Sequence, residues 1–317
     1  MAIAAVAVIA GAAALSEALA FTTVAAQVGP RPSFLRVGEP AWSPDGRQIV
    51  FAATSERGFE ASWRLYLINA DGSGVRPLTQ EGFDARSPSW SPDGRTIAFA
   101  HARRLVCCPL PHDVYVVAPA GSGQQKILSD ASDPAWSPRG RRIAYAYSSP
   151  TDYPHAIMTA AREGSARRLV AKPKSGGGEG GVCDGYFEPS WSPDGEFIAF
   201  SVQTEGGECS STEDRIELSR GYGAKSRVLV RGPLVWPEWS PRGGQIALTQ
   251  YSYSTGLPLG IKLFDLQTKQ QRSLGEGWAA SWSRDGARLV FVRGSYLDRS
   301  RLYVMAADGS KLRQLTD

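Results

Sequence analysis

The sequence predicts an all-β fold, a six-bladed β-propeller of four-stranded blades. Two observations carry this. A phrase first read as Trp42-Ser43-Pro44-Asp45-Gly46 returns, with variations, at Trp90, Trp136, Trp191, Trp239 and Trp282, in steps of 48, 46, 55, 48 and 43 residues. Self-similarity at a period of roughly 40–50 residues marks propellers or helical arrays. The apolar run after each glycine, such as Ile49-Val50-Phe51 or Ile97-Ala98-Phe99, is too short for a helix and rich in residues that suit strands. No stretch after the N-terminus reads as a long amphipathic helix, which argues against helical arrays.

Each repeat supplies the same elements in order. A proline two residues before the tryptophan and a glycine four after it frame the first strand and its turn. Pro-Asp-Gly is turn chemistry: proline presets φ, aspartate bonds nearby N–H groups, and glycine accepts positive φ. A second strand pair follows, Leu65-Tyr66-Leu67-Ile68 and Arg76-Pro77-Leu78-Thr79, joined through Asp71-Gly72-Ser73-Gly74. The last repeat copies it with Leu302–Met305, Asp308-Gly309-Ser310 and Leu312–Thr316. Each unit therefore holds strands A to D with tight A–B and C–D turns, and four-stranded units repeated radially make a propeller. The six tryptophans read as wedges between neighbouring blades. Ser43 and its equivalents read as turn and backbone partners, not nucleophiles.

Trp-Ser-Pro-Asp-Gly followed by Arg-x-Ile-Ala-Phe, then Leu-Tyr-x-x-x-Ala-Asp-Gly-Ser and Gln-Leu-Thr, resembles the TolB-type β-propeller repeat. The likeness covers all six units and specifies fold far more than function. Arg139 and Arg242 stand where that repeat has aspartate, and Arg284 and Ala280 where it has proline. The chain has no room for the α/β domain that precedes the TolB propeller. Residues 34–317 are assigned to the propeller, a WD-repeat-like layout.

Residues 1–26 read as a signal peptide or a weak membrane anchor. Ala2 to Leu15 is apolar and uncharged, and Ala18-Leu19-Ala20 offers a small-x-small cleavage site. No Lys or Arg precedes Arg31, and Glu17 interrupts the run before it reaches membrane-span length. A periplasmic or extracellular location follows, with membrane contact only through the N-terminus. Of the four cysteines, Cys183 and Cys209 fall on connections that reach the same face of blade 4 and are the first-choice disulfide. Cys107 and Cys108 lie in one loop of blade 2, either bridged to each other, paired elsewhere or reduced.

Net charge is +4, but it is unevenly placed. Arg139 to Lys174 carries eight basic residues against two acids, whereas Ser175 to Asp214 carries nine acids and no base. Glu205, Glu208, Glu213 and Asp214 cluster near Cys209. They form a solvated loop, a patch for a cationic partner, or, more weakly, a calcium site without the regular spacing of a calcium loop. The basic turns of blade 3 suit an anionic lipid or polymer. Nucleic acid is excluded as a partner because basic and aromatic residues are not interleaved on one element.

One ring of positions stands out. Three residues before each repeated tryptophan come Glu39, Ser87, Asp133, Glu188, Trp236 and Ala279. They are expected around the mouth of a central channel, as a polar and aromatic rim. Trp236 and Trp278 are extra aromatics, either binding hot spots or filling between blades 5 and 6. No nucleophile elbow, phosphate loop or dinucleotide fingerprint is present. His101, His112 and His155 fall on one face near Cys107 and Cys108. They are three separate loop residues or, in the second reading, the transition-metal cluster of a propeller lyase or lactonase. The first reading is a monomeric, cofactor-free, non-enzymatic scaffold that binds a protein, or else a polysaccharide, on its long-loop face. Replacing any one repeated tryptophan by alanine is expected to lower unfolding free energy by about 3–5 kcal/mol, measured by denaturant titration.

Overall fold

The structure is a computed structural model that describes residues 33–57, 61–103, 112–148, 155–172, 184–204, 213–221, 225–295 and 297–317. Residues 1–26, Cys107, Cys108, Cys183, Cys209, Glu205 and Glu208 lie outside them. Residues Pro32–Asp317 form one compact unit. Twenty-four strands build six antiparallel sheets of four, each from consecutive strands. The result is a six-bladed propeller, and among the described residues there is no helix. Strand A of the blades is Arg36–Trp42, Ala85–Trp90, Ala131–Trp136, Asp184–Trp191, Leu234–Trp239 and Trp278–Trp282.

The hydrophobic core is not inside blades but between them. Six buried clusters each join two neighbouring blades. One packs Val37, Trp42 and Phe51 of blade 1 on Val290, Leu302 and Val304 of blade 6; another packs Ile157 of blade 3 on Trp191 and Phe200 of blade 4. Every repeated tryptophan lies against the preceding blade. Trp191 Nε1 donates to Ala135 O (3.1 Å) and Trp282 Nε1 to Glu238 O (3.1 Å). The Arg288 guanidinium sits 4.6 Å from the Trp42 ring centre.

The Trp-Ser-Pro-Asp-Gly turn works as its residues predict. Ser43 Oγ donates to Asp45 Oδ1 (2.6 Å) and accepts from Gln48 N–H (2.9 Å), while Arg47 N–H donates to Asp45 Oδ1 (3.0 Å). The Ser43 hydroxyl, then the Arg47 amide, hold the Asp45 carboxyl below its usual range. Asp93, Asp194 and Asp285 repeat this. Where Arg139 and Arg242 replace aspartate, the serine Oγ still accepts a backbone N–H, so the turn survives.

Strand D is shorter than expected in blades 1 and 6, reduced to Arg76–Pro77 and Arg313–Gln314. In both blades a threonine side chain takes the next place in the ladder: Leu65 N–H donates to Thr79 Oγ1 (3.1 Å) and Leu302 N–H to Thr316 Oγ1 (3.0 Å).

The ring closes without a shared strand among the described residues. Blade 6 meets blade 1 through Ser300, whose Oγ accepts from Val37 N–H and donates to Val37 O, both at 2.8 Å. Arg313 adds bonds to Ala70 O and Asp71 O. Ser300→Ala strands a buried N–H and is expected to cost about 1–3 kcal/mol, measured as a fall in denaturation midpoint at unchanged slope.

Candidate functional site

The site begins with a backbone irregularity in strand A. In blade 1, Gly38 pairs with Ala52 and Ala41 with Val50, so Glu39 and Pro40 together face Phe51. This is a β-bulge. The same register shift recurs in all six blades. The first bulged residue takes positive φ each time: Glu39 49°, Ser87 47°, Asp133 50°, Glu188 55°, Trp236 50° and Ala279 49°. Positive φ costs a non-glycine residue on the order of 1–3 kcal/mol. In five blades a buried proline follows and could not have paired in any case.

These bulges turn one side chain per blade inward, and all six residues line a central cavity of about 160 Å³. Trp236 forms its aromatic wall. Glu238 joins the lining, giving four carboxyl groups with Glu39, Asp133 and Glu188. Sequence reasoning missed Glu238. Its signal was present: the residue before the repeated tryptophan is Ala or Ser in the other five blades.

Polar contacts stitch the ring from blade to blade. Glu39 Oε2 accepts from Ser87 N–H (2.5 Å), and Ser87 Oγ donates to Asp133 Oδ1 (3.0 Å). Glu188 Oε2 accepts from Trp236 N–H (2.8 Å) and Ser201 Oγ (2.6 Å). Ser190 Oγ donates to Glu238 Oε2 (3.2 Å), and Ala279 N–H donates to Thr249 Oγ1 (3.0 Å). Glutamate reaches the next blade's bulged N–H in both places where it occupies the ring.

Burial sets the charge of this site. It pushes the Glu188 carboxyl up to about 8, with Asp133 adding repulsion against the pull of its hydrogen bonds. Burial likewise pushes Glu238 up to about 7 and raises Glu39. At neutral pH the cavity therefore holds protonated carboxyls and carries less charge than its composition suggests.

The other nominated residues are placed differently. Trp278 is buried at 1% exposure and packs in the cluster between blades 6 and 1, against Gly38. It fills that gap and not the one between blades 5 and 6. Its ring lies 5.7 Å from that of Trp236. Glu213 is exposed. Asp214 is buried and accepts a hydrogen bond from Tyr251 Oη of blade 5, so it is not part of a solvated loop.

His101 stacks on Phe83 at 3.8 Å, with Nδ1 3.1 Å from Asp84 O. His155 packs on Phe187 at 4.5 Å. Burial lowers the His112 pKa against the attraction of Asp133. Among the described residues no group of three or more His, Cys, Asp or Glu side chains is arranged to hold a metal ion, and no helix is long and apolar enough to cross a membrane.

Six blades of four strands around a polar channel define the class, a closed-ring β-propeller with its irregular backbone gathered at the axis. A family model described as the TolB beta propeller domain matches residues 32–209, and the chain belongs to that family. No curated protein matches the sequence. Among solved structures, TolB from Acinetobacter baumannii is similar at TM-score 0.61 and 16% identity over 87% of this chain, which spans 62% of that protein. A TolB from Agrobacterium tumefaciens is similar at TM-score 0.62 and 18% identity, over 86% of this chain and 90% of that one. An oligogalacturonate lyase in complex with manganese is similar at TM-score 0.54 and 14% identity, over 84% and 88%. At such identities the likeness is one of fold.

Glu188 and Glu238, raised when folded, contribute stability that is complete below pH 4.5, their ordinary value, and is lost as pH rises through about 7 and 8. His112, lowered when folded, loses stability only as pH falls through 6.5, its ordinary value. The melting temperature is therefore expected to decline from about pH 4.5 to about 8 and to level off above it, and Glu188→Gln to decline less and to exceed the wild type at the alkaline end.

Proposed function

We propose that this protein is an exported, non-enzymatic scaffold that binds a protein partner on its long-loop face, seating a cationic side chain of that partner in the channel mouth. The observation that carries the reading is the ring of bulged residues: four carboxyl groups and Trp236 around a cavity of side-chain size. A guanidinium there would meet carboxylates at close range and the face of an indole, the pairing that makes arginine and tryptophan frequent binding hot spots. The surrounding face supports it. Tyr253, Leu259 and Leu297, on or next to the B–C loops of blades 5 and 6, are 61%, 53% and 47% exposed and give this face apolar side chains for a partner to cover.

Export rests on the apolar, uncharged segment Ala2 to Leu15 and the Ala18-Leu19-Ala20 site. Catalysis is not part of the proposal, because a fold likeness to a lyase brings no catalytic residue with it.

Cation binding would expel the protons held on Glu188 and Glu238, so affinity should rise with pH. Titration of a short arginine-containing peptide, followed by tryptophan fluorescence, tests this. Binding should tighten from about pH 6 to pH 8.5 and weaken at least about tenfold in Trp236→Ala. A citrulline-substituted peptide that binds equally well would sink the reading.

A further inference from the structure

The opposite face of the propeller has its own chemistry. The A–B and C–D connections on it are short, as in 43–47 and 118–124. Blade 3 places Arg139 and Arg141 in its A–B turn, and Arg162, Arg167 and Arg168 in and just after its C–D turn. Arg95 of blade 2 joins them across an interblade groove of about 390 Å³ lined in part by Arg95, Trp136 and Arg162. All six arginines are exposed. None forms an ion pair among the described residues.

The acids of these turns are engaged locally. Asp93 Oδ1 accepts from Ser91 Oγ (2.6 Å) and Arg95 N–H (3.0 Å), and Glu163 accepts from Ser165 Oγ. Six arginines against two nearby acids, Asp93 and Glu163, leave an excess of positive charge on one edge, which raises the local potential. An external anion relieves it.

Exposed apolar side chains lie on the same face, Leu169 in blade 3, Val228 in blade 4 and Leu312 in blade 6, each next to an arginine in sequence. Leu169 follows Arg168 at 44% exposure, Val228 follows Arg227 at 40%, and Leu312 precedes Arg313 at 48%. All three lie at the start of strand D, on the rim of the same face. We propose that this turn face, centred on blade 3, docks on the anionic headgroups of a lipid bilayer. Arginine forks match phosphate oxygens. Leu169, Val228 and Leu312 gain from leaving water only if the partner has an apolar layer beneath its charge, which a bilayer has and a soluble polyanion lacks. The site shares no residue with the channel mouth, so each reading stands or falls alone.

The test is co-sedimentation of the full chain with vesicles of phosphatidylcholine and of a phosphatidylcholine–phosphatidylglycerol mixture. The protein should bind the mixture, bind neutral vesicles poorly, and be released by high salt. The triple variant Arg139→Ser, Arg141→Ser, Arg168→Ser should bind on the order of a hundredfold more weakly, about fivefold per basic group. Leu169→Ser alone should lose several-fold, and both variants should melt at the wild-type temperature. Equal binding by wild type and triple variant, equal binding to neutral vesicles, or binding to soluble polygalacturonate with none to vesicles would each overturn the proposal.

Discussion

Six times, strand A gives up its pairing at one residue held near φ +50°, just before it delivers a tryptophan to the gap between blades. This bulge is the constraint on which the rest depends. It turns a side chain into the axis, and in the next blade it leaves an N–H aimed back at that side chain. Glu39 and Glu188 exploit this by reaching across to Ser87 and Trp236. Aspartate at 133 is one methylene shorter and instead receives a bond from Ser87. The local strain is held because the tryptophan that follows is pinned between two sheets. Ala279 adopts the same φ with no proline after it, so the packing of the ring, not proline, imposes the conformation.

Among the described residues blades 6 and 1 share no strand, and side chains carry most of the closure. Here the burden falls on the contact of blade 6 with blade 1, where Ser300, Arg313, Trp278 and the Arg288–Trp42 pair converge. Because every core cluster spans two blades, the loss of one wedge is felt by two sheets. Stability and site geometry are thus coupled: the residues that close the ring also set the width of the channel that the carboxyls line.

Much of this was legible in the repeated phrase. The spacing of tryptophans predicts the blade count, and the turn chemistry of Ser43 and Asp45 predicts their hydrogen bonds. The position three residues before each tryptophan predicts the rim, although simple strand alternation does not explain it; the bulge does. What the phrase hides is context between blades. Glu238 is two positions past the ring residue Trp236, and the contact between blades 4 and 5 brings it to the cavity. Asp214 reads as one of a run of loop acids, yet Tyr251 from the next blade buries it. Trp278 looks like a partner for exposed ligand, but Gly38 opposite it leaves a slot that the indole fills. Each of these depends on a neighbour about 40 or more residues away or on the closure of the ring, which local pattern does not carry.

The central claim is that burial in this ring keeps an axial carboxyl protonated at neutral pH. Infrared difference spectroscopy of the protein labelled with 13C-carboxyl glutamate reads this directly. The account predicts a protonated glutamate band at pH 7 whose component with a midpoint near 8 is missing in Glu188→Gln, while the component from Glu238, with a midpoint near 7, remains. Titration of every glutamate carboxyl within the ordinary range around 4.5 would contradict it.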